Sequence, residues 1–115
     1  MATRMQITQN GDVFVIRFQD RRLAGDLPDQ LGDELYRLAA EEDCTKILLN
    51  FSGVEFFASD MLGKVMALNK RMKQKKGRLA ICEVCPYLHQ VITVTRLDTL
   101  LTIAGTEAEG LSALA

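Results

Sequence analysis

The sequence holds few of the features that mark specialised chemistry. His89 is its one histidine, and there is no GxSxG, P-loop or HExxH pattern. Three cysteines are an odd number at low density, so no disulfide framework is expected and the thiols should be reduced. The apolar runs are short: Val13-Phe14-Val15-Ile16 spans four residues, where a membrane-spanning helix needs about 20. The start, Met1-Ala2-Thr3-Arg4-Met5-Gln6, has no apolar h-region, so no secretory leader and a cytoplasmic location are expected. Charge of one sign is also missing. With 14 Lys plus Arg against 15 Asp plus Glu, the chain lacks the basic excess of a nucleic-acid or anionic-membrane binder. No repeat, linker or low-complexity segment interrupts it.

What remains is an ordinary globular composition, 48% hydrophobic and 25% charged, which excludes intrinsic disorder. The 115 residues suit one domain, residues 1–115. A chain of this size buries roughly two thirds of its unfolded surface and needs no covalent staple.

Periodicity outlines the elements. Met5–Thr8 and Asp12–Phe18 alternate apolar and polar around Asn10-Gly11, which predicts an N-terminal hairpin. After a loop from Gln19 to Gly25, the residues Leu27, Leu31, Leu35, Leu38 and Ala39 trace one helical face, with Pro28 suited to its first turn. Lys46–Phe51 is an apolar run without alternation, as in a parallel strand covered on both faces. A loop over 52–59 leads to a second helix from about Asp60 to Gln74, with inner stripe Leu62, Val65, Met66, Asn69 and Met72. Lys75-Lys76-Gly77 should end it. A strand over Arg78–Val84 and a helix from Pro86 to about Arg96 follow, the latter β-branched enough to read as a strand instead. Leu100–Ile103 should be a last short strand, and Thr106 with Glu109 a capping box for a helix over Glu107–Leu114. This order predicts an α/β fold: a mixed sheet of about four to five strands with helices packed on it.

Three clusters invite a chemical reading. Cys82-Glu83-Val84-Cys85 has CxxC spacing, and a thiol-redox protein using Cys82 and Cys85 is one alternative function. A redox pair needs its first thiol near a helix N-terminus, whereas Cys82 falls in a strand, so two packing residues are the better reading. A zinc site would have to recruit His89 and Cys44 without a second paired motif, and no metal or cofactor is expected. The basic run Lys70–Arg78 lies at a helix C-terminus, where cations are favourable, and no aromatics are interleaved for base stacking. It reads as a solvated helix end. No catalytic residue is assigned. The third cluster is Ser59-Asp60 at the start of the second helix, where Ser and Asp are good caps and where an anion also gains from backbone donors.

The segment Leu49-Asn50-Phe51-Ser52-Gly53-Val54-Glu55-Phe56-Phe57-Ala58-Ser59-Asp60-Met61-Leu62-Gly63 resembles the signature of STAS domains, roughly L-D-L-S-G-V-x-F-I-D-S-S-G-L-G. Leu23–Leu27 resembles the family's turn before its first helix, and Arg78–Cys82 with Leu97–Leu101 resembles its C-terminal third. The resemblance implies a non-enzymatic regulatory module like the anti-sigma factor antagonists, or a structural subunit of a stressosome-like scaffold. The implied partner is an anti-sigma factor serine kinase or a related signalling protein, with weak self-association and no nucleic acid or membrane. In such domains the partner kinase phosphorylates a Ser or Thr at the start of the second helix, and the added charge breaks the complex.

The sequence departs from the pattern at that spot. Aligned on Leu62-Gly63, the acceptor Ser falls on Asp60, the preceding Asp on Ala58, the Gly on Met61, and the Asp of the earlier turn on Pro28. Asp60 is then either a permanent imitation of phosphoserine, or Ser59 is the acceptor instead. The implied partner-binding surface comprises Gly25, Asp26, Ser59, Asp60, Met61, Leu62 and Lys64. Met61 is expected to offer an exposed apolar contact, or else to sit half-buried in the helix.

Overall fold

The computed structural model describes residues 5–115; Met1 to Arg4, on which the expectation about a leader partly rests, lie outside the described residues. The chain opens with the hairpin β1 (Met5–Asn10) and β2 (Val13–Phe18), paired antiparallel with Asn10 opposite Val13. The two connecting residues are therefore Gly11-Asp12 rather than Asn10-Gly11. Gly11 has φ +63°, which a glycine at the first turn position accepts without strain.

The rest alternates strands and helices: β3 (Arg22–Leu23), α1 (Leu27–Ala39), β4 (Lys46–Asn50), β5 (Phe56–Phe57), α2 (Ser59–Gln74), β6 (Arg78–Cys82), α3 (Pro86–Val94), β7 (Thr102–Ala104) and α4 (Glu107–Leu114). The main sheet has the order β1-β2-β4-β6-β7 and is parallel from β2 onward. Each parallel strand steps to the next position in one direction, so the connecting helices α1, α2 and α3 gather on one face. Alternate strand residues Ile16, Phe18, Ile47, Leu49 and Ile81 meet Leu31, Leu35, Val65, Leu68, Leu88 and Ile92 in the larger core. The opposite residues Val13, Val15, Leu48, Ala80 and Cys82 pack under Leu111 and Leu114 of α4. Both faces are covered, which explains why β4 reads as an unbroken apolar run.

Several boundaries differ from expectation for physical reasons. In α2 the fully buried stripe is Met61, Val65, Leu68, Asn69 and Met72, while Leu62 and Met66 are only half-buried. α2 ends in a Schellman motif: Gly77 N–H donates to Met72 O at 2.7 Å and Lys76 N–H to Lys73 O at 3.0 Å. Lys76, not the glycine, takes the left-handed conformation (φ 62°). Gly77 is needed for space, since a Cβ there would sit 2.8 Å from Thr45 O. β6 stops at Cys82 because Glu83 turns to φ 58°. The β-branched residues Val91 to Val94 are helical, with Ile92 in the core and Thr95 as the C-cap. A 3-10 turn at Leu97–Thr99 then delays the last strand to Thr102. The Thr106–Glu109 capping box forms in full.

Candidate functional site

The site is built by two loops sewn together. β3 and β5 pair in parallel, Arg22 beside Phe56 and Leu23 beside Phe57. Glu55 N–H donates to Arg21 O at 2.8 Å and Ala58 N–H to Leu23 O at 2.9 Å. The Arg22 guanidinium lies 4.5 Å above the Phe56 ring. Phe57 points inward against Phe51 with ring centroids 5.8 Å apart. These ties bring the Gly25-Asp26 turn, which opens α1, beside the start of α2. Two-residue strands are too short for periodicity to register, so the sequence showed only a connecting loop here.

The tip of α2 differs from the capping explanation of Ser59 and Asp60. The helix begins one residue early, at Ser59, and its N-cap is Ala58, which has no side-chain oxygen. Among the described residues neither Ser59 nor Asp60 makes a side-chain cap bond, and both are exposed. At about 100° per residue the two side chains leave the helix in different directions. Asp60 shares its face with Lys64 and Arg71, four and eleven positions on, and these lie against α1. Lys64 Nζ is 3.0 Å from Asp29 Oδ1, and Arg71 sits 4.2 Å over the Tyr36 ring. Ser59 shares its face with Leu62, Met66, Lys70 and Lys73, on the side of Leu100.

Other members of the expected surface have different places. Met61 is fully buried, so it fills the core and offers no contact; its long side chain is absorbed inward where a glycine would leave space. Lys64 is half-buried and braced to α1, and the Asp29 carboxylate raises its pKa through their hydrogen bond. Gly25 (φ +67°) and Asp26 are exposed at the mouth of α1, and Leu62 is half-buried.

Under the loop lies a polar network. Asn50, 4% exposed, donates through Nδ2 to Glu107 Oε1 at 2.8 Å and accepts from Ser52 N–H at 2.8 Å. Arg17 contacts the same Glu107 oxygen at 2.5 Å, and Glu107 N–H donates to Glu83 Oε2 at 2.9 Å. The start of α4 is thereby tied to the loop that leads into the site.

The cysteines are arranged for packing. Cys82 is fully buried on the α4 face and burial pushes its thiol up to about 12; Cys44 is likewise pushed up to about 11. His89 is exposed. Among the described residues no group of three or more His, Cys, Asp or Glu is placed to hold a metal ion, and no helix is long and apolar enough to cross a membrane.

A five-stranded mixed sheet, three helices on one face and one on the other, and an uncapped helix tip stitched to a neighbouring turn define a small α/β domain of the STAS type. The chain belongs to the STAS domain family: the profile of the "Mlab, STAS domain" matches residues 19–102. It is 29% identical over 98 residues to an anti-sigma F factor antagonist of Paenibacillus polymyxa, covering 81% of this chain and 83% of that protein. Its fold superposes on an anti-sigma-factor antagonist (STAS) domain protein of Planctomyces limnophilus with a TM-score of 0.86 at 30% identity, over 96% of this chain and 97% of that one. The Bacillus cell fate determinant SpoIIAA in its phosphorylated form shares the fold, with a TM-score of 0.74 at 20% identity over 96% of this chain and 99% of that one.

Proposed function

We propose that this chain is a regulatory protein-binding module of the anti-sigma factor antagonist type, in which Asp60 is a fixed charge where a switching relative carries a removable one. The docking surface is the exposed tip of α2 with the Gly25-Asp26 turn. Its partner is an anti-sigma factor serine kinase or a related signalling protein. The observation that carries the reading is the placement of Asp60: exposed, on the first turn of a helix, with neither a capping bond nor an ion pair among the described residues. A carboxylate with no internal task is free to meet a partner.

A phosphoserine brings about −1.5 to −2 charge and three acceptor oxygens, whereas Asp60 brings one unit and two oxygens. A partner that rejects the phosphorylated state therefore meets a partial version of it at all times. SpoIIAA, which shares the fold, has been seen in phosphorylated and unphosphorylated forms. A second reading rests on Ser59, whose exposed hydroxyl has no hydrogen-bond partner among the described residues and stays open to phosphoryl transfer. The two readings separate on incubation with the anti-sigma factor kinases of its own cell, one at a time, with ATP. Fixed-charge behaviour predicts no phosphate on Ser59 by mass spectrometry, and phosphorylation at residue 60 of Asp60→Ser. Stoichiometric phosphate on Ser59 of the wild type would replace the first reading by the second.

A further inference from the structure

We propose a second interaction surface on this domain: the groove between the exposed side of α2 and the Leu100 turn, shaped for an acidic peptide segment of a partner protein that carries one apolar anchor. The starting point is the basic run from Lys70 to Arg78, six cations without an acid. Its solvated-helix-end explanation covers only part of it. Arg71 stacks on Tyr36, Lys75 Nζ bonds Ala39 O at 2.7 Å and Glu41 O at 2.5 Å at the end of α1, and Arg78 bonds Ala113 O and Ala115 O at the end of α4. Lys70 and Lys73 have no acidic partner among the described residues, and both are exposed.

These two lysines rim a groove of about 590 Å³ lined also by Met66, Ala67 and Leu100. Leu100 is 53% exposed, yet it is held in place: Asn69 Nδ2 donates to its carbonyl at 3.1 Å, and its own N–H donates to Leu97 O at 3.0 Å. A large exposed apolar side chain on an anchored backbone, in a groove shared with two lysines that have no acidic partner among the described residues, is complementary to an apolar residue flanked by carboxylates. The groove is confined to one side of α2 and the Leu100 turn, and the whole chain has a net charge of −1, which suits a peptide better than an anionic lipid surface. The groove follows the same side of α2 as Ser59 and Leu62, so a partner docked at the helix tip could extend into it.

The test uses a fluorescein-labelled helical peptide with leucine at one face and glutamate elsewhere, a matched peptide with lysine for glutamate, and phosphatidylserine-containing vesicles. The acidic peptide should raise anisotropy with wild type, weaken about tenfold or more with Lys70→Glu/Lys73→Glu, and weaken less with the Gln versions. Its binding should shift the NMR signals of Met66, Ala67 and Leu100 and persist in Asp60→Ser, which keeps this test separate from the function of the helix tip. Circular dichroism confirms that the variants fold. The proposal is overturned if wild type does not bind the acidic peptide, if the lysine peptide binds equally, if charge reversal leaves binding unchanged, or if the vesicles alone retain the protein.

Discussion

Replacing Asn50 by Asp probes how the loop before the site is held. Asp is the residue that the STAS pattern carries at this position, yet here it should be damaging. The Asn50 amide both donates to Glu107 and accepts from Ser52, and a carboxylate can do only the second. The lost bond to a charged acceptor is worth about 1.5–3 kcal/mol. Two carboxylates at about 4 Å repel by about 4 kcal/mol at an effective dielectric of 20. Arg17, against the same Glu107 oxygen, offsets part of that. A net loss of about 2–4 kcal/mol follows for Asn50→Asp at pH 7, or about 10 °C in Tm for a domain of this size. Crowding of like charges raises the pair's pKa in the folded state, so the deficit should be fully present near neutral pH and shrink as pH falls through that raised value. Combining Asn50→Asp with Glu107→Gln should restore most of the loss, since the new amide can donate to the new carboxylate. Urea unfolding of the four proteins of this cycle supplies the numbers. An unchanged midpoint for Asn50→Asp, or no recovery in the double variant, refutes the reasoning.

Further outcomes follow from the core. Burial raises Cys82 to about 12 and Cys44 to about 11 from an ordinary 9.0, so at pH 8 iodoacetamide should modify Cys85 first and the other two only on unfolding. The sign for stability is the same: the two protonated thiols favour the folded state below pH 9, and this contribution declines as pH rises toward 11–12, an alkaline slope that a Cys44→Ala/Cys82→Ala variant should lose. Gly110→Ala places a Cβ 2.6 Å from Leu48 Cδ1, so the buried Leu48 side chain must turn or α4 must lift from the sheet, at a cost of about 1–3 kcal/mol in urea unfolding. No loss there would show that Leu48 is not held tightly under α4.

Much of the architecture was readable because its causes are local. Gly11 beside alternating residues signals a hairpin, Leu27–Leu31–Leu35 a helical face, and Thr106 with Glu109 a helix start. The stripe of α2 was rotated because Met61 and Leu62 are both apolar, and only the tertiary packing of the larger core, to which Met61 belongs, selects the first. That choice removes Met61 from the binding surface. The stitch between Arg22-Leu23 and Phe56-Phe57 depends on a contact between segments more than 30 residues apart, which no local period announces. Lys64 looked available because Asp29, its partner across α1, is equally remote in sequence. The six-cation run read as one feature, and only tertiary contacts divide it into braced and unbraced members.

Calorimetric titration of the wild type and of Asp60→Ser against the anti-sigma factor kinase proposed as its partner addresses the fixed charge most directly. Removing a carboxylate that imitates phosphoserine should tighten the complex about tenfold at low salt and by less at high salt, where the charge is screened. Equal affinity for both proteins, at low and high salt, would contradict it.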